Sequence, residues 1–285
     1  MNQPLYDFYI VNKAHRAWRI HPPEMAEAFN AQNLTAAERM CRRFEQLCAM
    51  ERPHIQPFEQ IAMVRTVNRV PDCWTSAQWD AVRAEHFVHE LGYASNLCPD
   101  YASVIAQGLL AQRAAADCRQ RRCIDALIDL CDRYLQEAIC CGREDLARVF
   151  TQVPRYGARN FHEALQFFRI LHFALWLEGD YHNTIGRFDQ YMAPYFEADM
   201  ACGVLNRESA LALLEDFFIS FNKDSDLYPG VQQGDNGQSM VLGGTDAQGR
   251  DGFTQLSALC LEASGNLKLI DPKLNLRVNG QTPQE

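Results

Sequence analysis

Apolar residues recur every three to four positions through most of this chain, and only three short stretches break that rhythm with extended character. That imbalance limits the fold to many helices packed around few strands. Thr35-Ala-Ala-Glu38 is a capping box that opens an amphipathic run to about Cys48, and Thr75-Ser-Ala-Gln78 opens another reaching about His89. Between Asp100 and about Cys141, Val104, Ile105, Leu109, Ile124, Leu127, Ile128, Leu130 and Leu135 keep a period near 3.6. That span is too long for one ordinary helix, and the polar stretch near Asp117 predicts a break. Asn160 with Glu163 opens a helix to Leu177, and a second runs from Arg187 to about Met200, closed by Cys202-Gly203. Asn206 caps a third, to about Phe221. The strand candidates are residues 61–67, 239–242 and 274–278, and the loop 222–237 carries Asp, Pro and Gly without periodicity. The expected class is α/β, predominantly helical, with too few strands to close a sheet. A partial barrel fits that description.

A chain of 285 residues, 47% hydrophobic, can bury one large core or two small ones, and no repeat or long linker divides it. Its net charge of −9 argues against phosphate-backbone binding as the main task. The basic cluster Arg119-Gln-Arg-Arg122 sits beside acids in a helical pattern and reads as a solvated face. Eleven cysteines form no framework: the count is odd, no CxxC occurs, and Cys131 and Cys260 lie in apolar stretches where a thiol packs as a small hydrophobe. The N-terminus lacks the basic and apolar regions of a signal peptide. The most apolar stretch, residues 164–177, is interrupted by Gln166, Arg169 and His172, which argues against a membrane span. A reduced cytoplasm is the expected compartment.

Several constellations invite chemical readings that their spacing does not sustain. His86-x-x-His89, flanked by Glu85 and Glu90, puts two imidazoles on one helix face but lacks a third ligand at familiar spacing, so no metal is expected. Cys118-x4-Cys123 and Cys140-Cys141 imply no iron–sulfur site. Gly243-Gly244 lacks the lysine of a phosphate loop, and no G-x-S-x-G elbow supports a hydrolase. The segment from Leu177 to Tyr191 differs in kind. Tyr181 and His182, two adjacent hydrogen-bonding side chains beside Glu178 and Asp180, directly follow a strongly apolar helix. Gly186 then turns the chain into a new helix, with Asp189 near its positive end. Composition alone leaves two readings: a helix-end loop facing water, or the wall of a pocket.

Three separated blocks resemble the glycyl radical enzymes, the pyruvate formate-lyase and glycerol dehydratase superfamily, in matching order. The first runs from Pro71-Asp-Cys-Trp74 through Gly92 to Tyr101 and on to Gly108-Leu109. The second is the Asn160 to Gly203 stretch, and the third joins Gly234 to Gln238, Leu242 to Asp246, Gly249 to Asp251, Leu256 to Ala263 and Asp271 to Val278. The resemblance implies the N-terminal part, residues 1–285, of a pyruvate formate-lyase-like domain, and with it one half-barrel of the family's ten-stranded α/β barrel. In that family a thiyl radical, formed from a backbone glycyl radical, abstracts a hydrogen from the substrate. A separate S-adenosylmethionine/iron–sulfur enzyme installs the radical, so no cofactor bound to this chain is expected. The family's Gly-Cys-Val/Ile-Glu and Arg-Val-x-Gly-Tyr loops do not occur here, and Arg277-Val-Asn-Gly280 echoes the latter while its lead-in matches an earlier family strand.

By the same resemblance, Asn96 occupies the position where relatives grip their substrate with Arg, His or Asp, and its neutral amide removes a charge from the pocket. Tyr181 and His182 stand, within one position, where glycerol-type enzymes carry His-Ser and pyruvate formate-lyase two alanines. Arg277 on the last strand is a weaker candidate. These four are the expected substrate-binding residues, with no catalytic residue in the chain. The function implied is a fragment of a dehydratase-type lyase that cleaves C–O or C–N bonds of a small polar hydroxylated substrate and is inactive alone. A formate C-acetyltransferase-like fragment and a non-catalytic, partner-binding half-barrel are the alternatives. The implied partners are the small-molecule substrate, a C-terminal half and the radical-activating enzyme, without nucleic acid or membrane.

Overall fold

The start of most of the long helices is fixed by a side chain that satisfies an otherwise orphaned backbone N–H. In the computed structural model, which describes residues 1–85, 97–228 and 237–283, Thr35 accepts from the Glu38 N–H and Asn160 from that of Glu163. Asp117 and Asn206 close capping boxes with Gln120 and Ser209. The helices are α1 (Gln3–Tyr6), α2 (Ala26–Ala31), α3 (Ala36–Met50), α4 (Ser76–Glu85), α5 (Tyr101–Gln107) and α6 (Leu109–Ala115). They continue with α7 (Cys118–Cys140), α8 (Glu144–Gln152), α9 (Phe161–Leu177), α10 (Phe188–Ala201), α11 (Arg207–Ser220) and α12 (Gln255–Leu267). The break expected near Asp117 is there, and a second lies at Gly108, between α5 and α6. Gly108 has φ +86°, and a Cβ on it would sit 2.5 Å from the Tyr156 backbone, so only glycine lets the chain turn there.

Helix α9 is apolar on nearly every side and is therefore central. It packs against α3, α5, α8, α10 and α11, with Phe161, Leu165, Phe168, Ile170 and Phe173 fully enclosed. Among the described residues no helix is long and apolar enough to cross a membrane.

The strand expected over residues 61–67 does not form. Ile61 to Val67 are fully buried, yet among the described residues the segment pairs with another chain segment through an isolated bridge between Val67 and Ile20. Its backbone groups are met by side chains instead. Gln166 from α9 accepts from the Ala62 N–H at 2.8 Å and donates to its carbonyl. Arg169, also from α9, donates to the Met63 carbonyl at 3.0 Å, and the Val64 N–H reaches the Tyr134 hydroxyl. Asp224 accepts from the Arg65 N–H at 2.9 Å, Glu51 accepts from Thr66 and Val67, and Lys223 donates to the Ile61 carbonyl. An apolar run reads the same whether a ladder or a cradle of side chains receives it, which is why the sequence pattern misassigned it.

The other two strand candidates are real. β1 (Ser239–Gly243) and β2 (Lys273–Arg277) pair in parallel, Ser239 opposite Lys273 and Gly243 opposite Arg277, with α12 as the crossover. Among the described residues these two strands make the sheet. Parallel bridges extend it, Gly186 beside Met240 and Leu97 beside Asn183. Four segments thus run side by side in one direction, joined by helices.

Replacing Gln166 by Leu keeps the volume near α9 but strands the Ala62 N–H and carbonyl in the core. Urea unfolding is expected to show a loss of about 1–3 kcal/mol. A variant as stable as the parent would show that the segment does not depend on its side-chain partners.

Candidate functional site

The loop leaving α9 is held before it reaches the sheet. Glu178 closes the helix, and buried Arg43 from α3 donates to its carboxylate at 2.9 Å and its carbonyl at 3.3 Å. Gly179 turns with φ +92°, and burial, with Glu178 close by, pushes Asp180 up to about 6 against the pull of Arg43. Tyr181 then enters the core at 2% exposure. Its ring meets Trp176 edge-on at 5.1 Å and Tyr228 at 5.5 Å, and its hydroxyl lies close enough to Arg65 to act on that guanidinium. Burial opposes the charge on Arg65, but Tyr181, Glu51 and Asp224 hold its guanidinium protonated above the usual range. That guanidinium also donates to the carbonyls of Trp176 and Val67.

His182 faces another way. Its Nε2 lies 2.7 Å from the Tyr228 hydroxyl, the rings 5.3 Å apart, and a Cβ on Gly237 would touch the imidazole at 3.5 Å. The His182 carbonyl accepts from the Leu97 N–H at 3.3 Å, and Thr184 donates back to Leu97 at 2.9 Å. Ile185 and Gly186 exchange hydrogen bonds with Ser239 and Val241 of β1. Asp189, in the first turn of α10, is buried and accepts from the Gly243 N–H at 2.7 Å and the Ser257 hydroxyl at 2.5 Å. The loop is therefore pinned at both ends, with Tyr181 buried in the core and His182 half-buried against Tyr228.

Beneath it, His172 of α9 is buried between Arg169 and Gln238. Arg169 can only donate, so His172 Nδ1 accepts from it at 3.1 Å and Nε2 carries the proton toward the Gln238 oxygen. Burial, aided by Arg169, lowers its pKa to about 3. Arg169 pairs at 2.7 Å with Asp224. Burial opposes that carboxylate's charge, and Arg169 and Arg65 overcome it, holding Asp224 below its usual range.

Of the residues expected at the site, Tyr181 and His182 stand as described. Arg277 lies exposed at the end of β2, its carbonyl bonded to the Gly244 N–H at 2.8 Å. Asn96, like His86 and His89, lies outside the described residues. Tyr228 and Arg65 were not anticipated. Tyr228 sits in a loop without periodicity, and the one available signal for Arg65 was a lone charge inside an apolar run. Among the described residues no three His, Cys, Asp or Glu side chains gather as a metal site. A cavity of about 830 Å³ lies elsewhere, between α3, α5–α7 and α9, and among its lining residues Glu178 and Asp180 belong to this loop.

The model of the pyruvate formate lyase-like family matches residues 63–285. Trans-4-hydroxy-L-proline dehydratase of Clostridioides difficile is 27% identical over 186 residues, 56% of this chain and 23% of that protein. (2S)-3-sulfopropanediol dehydratase of Klebsiella oxytoca is 32% identical over 149 residues, 50% of this chain and 18% of its own length. A solved structure concerning 1,2-propanediol dehydration in Roseburia inulinivorans superposes with a TM-score of 0.74 at 22% identity, covering 99% of this chain and 47% of that one. At that identity the superposition shows the fold alone. The chain spans about half the length of that structure.

His172 gives the site a pH signature. Its folded pKa lies below the unfolded value, so its contribution is complete above about pH 6.5 and is lost as the pH falls toward about 3. The stability advantage of the parent over His172→Gln is expected to shrink by about 2 kcal/mol between pH 7 and pH 5. A difference that stays constant over that range would mean His172 is not held neutral.

Proposed function

The chain belongs to the pyruvate formate lyase-like family of glycyl radical enzymes, and from that premise we propose that residues 1–285 build the substrate-binding, N-terminal part of a dehydratase-type lyase. The observation that carries this is the His182–Tyr228 pair, a donor–acceptor couple at 2.7 Å on the loop entering the parallel segments. A hydroxyl group of a small substrate could replace or bridge that bond. Tyr181, packed between Trp176 and Tyr228, supplies the wall and orients the loop. Asn96, by the family resemblance, is assigned a neutral amide contact to the substrate. Arg277 is assigned a peripheral role. Elimination of a C–O or C–N bond through a radical needs a pocket that grips hydroxyls and excludes water. The dehydratases that resemble this chain bear names that specify hydroxylated, polar substrates.

The four parallel segments around residues 97, 183–186, 239–243 and 273–277 are, in this proposal, the first strands of a half-barrel. The family's cysteine and glycine radical loops do not occur in residues 1–285. These residues alone are therefore expected to be inactive, with activity requiring a C-terminal half and a separate S-adenosylmethionine-dependent activating enzyme. The cytoplasm, where thiols stay reduced, is the compartment assigned.

Two measurements test the proposal. Incubated anaerobically with an activating enzyme and S-adenosylmethionine, the polypeptide of residues 1–285 is expected to give no glycyl radical doublet in electron paramagnetic resonance. A doublet from it would end the claim of inactivity. In the assembled enzyme, His182→Ala and Tyr228→Phe should each lower kcat/KM roughly 3- to 10-fold with unchanged Tm, and the double variant should lose little more. Unchanged kcat/KM in both would reduce the pair to scaffolding.

A further inference from the structure

We propose that Cys41 and Cys123 form a reversible disulfide that staples α3 to α7 when the protein meets a peroxide, a modification independent of the lyase function. The two sulfurs are 3.7 Å apart, although the residues are separated by 82 positions. Both belong to the wall of the 830 Å³ groove, Cys41 at 4% exposure and Cys123 half-buried, and the groove is the route by which a small oxidant would approach them. Cys131 and Cys260, by contrast, are completely enclosed. All eleven cysteines are free thiols in the structure.

The helices around the pair are already held in place. Arg122, the neighbour of Cys123, bridges to Glu45 and Glu38 of α3 at 2.5–3.0 Å, and Arg133 donates to the carbonyls of Cys48 and Glu51. Closing the sulfurs to the ~2.05 Å of a disulfide therefore asks for side-chain rotation and a small approach of two helices already in register. The present thiol geometry points the same way. Cys123 directs its S–H at Cys41, and Cys41 directs its own at the Arg119 carbonyl, 3.6 Å away. That carbonyl lies in the first turn of α7.

Reactivity is asymmetric. Burial raises both thiols, Cys123 to about 12, while on Cys41 the Cys123 hydrogen bond and Arg122 partly offset it. Cys41 is thus the first to react. Its thiolate attacks one oxygen of the peroxide, giving a sulfenic acid and releasing the other oxygen as water or alcohol. The Cys123 sulfur then displaces the sulfenic oxygen, which leaves as water. With hydrogen peroxide the sum is two thiols and one peroxide giving one disulfide and two waters. A dithiol reductant reverses it by exchange. The bland alternative is that the two cysteines only pack as small hydrophobes.

The test uses the full 285-residue chain, treated with hydrogen peroxide, quenched with a maleimide and digested without reduction. Mass spectrometry is expected to find the Cys41 and Cys123 peptides joined, about 2 Da below their sum, and separated again by dithiothreitol. The join should appear before Cys131 or Cys260 is modified. Tm should rise by about 5 °C, because the link restricts a long unfolded loop. Cys41→Ala and Cys123→Ala should each abolish both changes. A variant with Cys98, Cys118, Cys140, Cys141 and Cys202 replaced by Ser should retain them, which separates this link from reactions of exposed thiols. Oxidation of the exposed cysteines with Cys41 and Cys123 unlinked would overturn the proposal, as would a link that leaves Tm unchanged.

Discussion

Arg169 of α9, Asp224 and Arg65 form a buried chain of charges, and through it the deepest part of the backbone is tied to the candidate site. Residues 61–67 run through the core without a ladder, so many backbone groups there depend on side chains from other elements, while the Thr66 carbonyl accepts from the Ile20 N–H. Leaving one unmet costs about 1–3 kcal/mol, and removing one member of a buried ion pair about 3–5 kcal/mol. Lys223 adds a further buried cation, bonded to Glu59 and lying 4.5 Å over the Tyr9 ring. Burial pushes Glu51 up to about 7, against Arg65 and the donors of Thr66 and Val67 that favour its anion. The partners come from α3, α7, α9 and the stretch after α11, so one segment registers four parts of the fold.

The same chain explains why Tyr181 and His182 diverge. Arg65 reaches from the segment to the Trp176 carbonyl, and the Tyr181 ring packs beside it in the cluster with Trp176 and Tyr228. With Tyr181 committed inward, the His182 ring meets the Tyr228 hydroxyl instead. The two adjacent side chains are thus both tied to Tyr228, one through its ring and one through its hydroxyl. Downstream, Asp189 fastens the same loop to the end of β1 and to α12 through Gly243 and Ser257.

Much of the helical frame was legible because caps are local: Thr35, Asn160 and Asn206 each meet an N–H three residues on. Helix α12 was harder to read, since its capping partner for Thr254 is Ser257, not the Glu or Gln of the usual signature. The Gly108 break was not legible, because what forces it is the Tyr156 backbone, distant in sequence. Residues 61–67 were misread for the same kind of reason: burial and apolar character were plain, but the identity of the hydrogen-bond partners was a tertiary fact. At the site, resemblance to the family drew attention to Tyr181 and His182. It could not reveal that Tyr181 answers to Arg65, or that Tyr228 from an aperiodic loop would complete the pair.

The central claim is that His182 and Tyr228 present the polar grip of a hydroxyl-binding pocket. A crystal structure of the assembled enzyme with a small hydroxylated substrate bound tests it most directly. The account predicts a substrate hydroxyl within about 3 Å of His182 Nε2 or the Tyr228 oxygen, with Tyr181 still packed against Trp176. A substrate seated elsewhere, with the His182–Tyr228 bond intact and out of its reach, would contradict it.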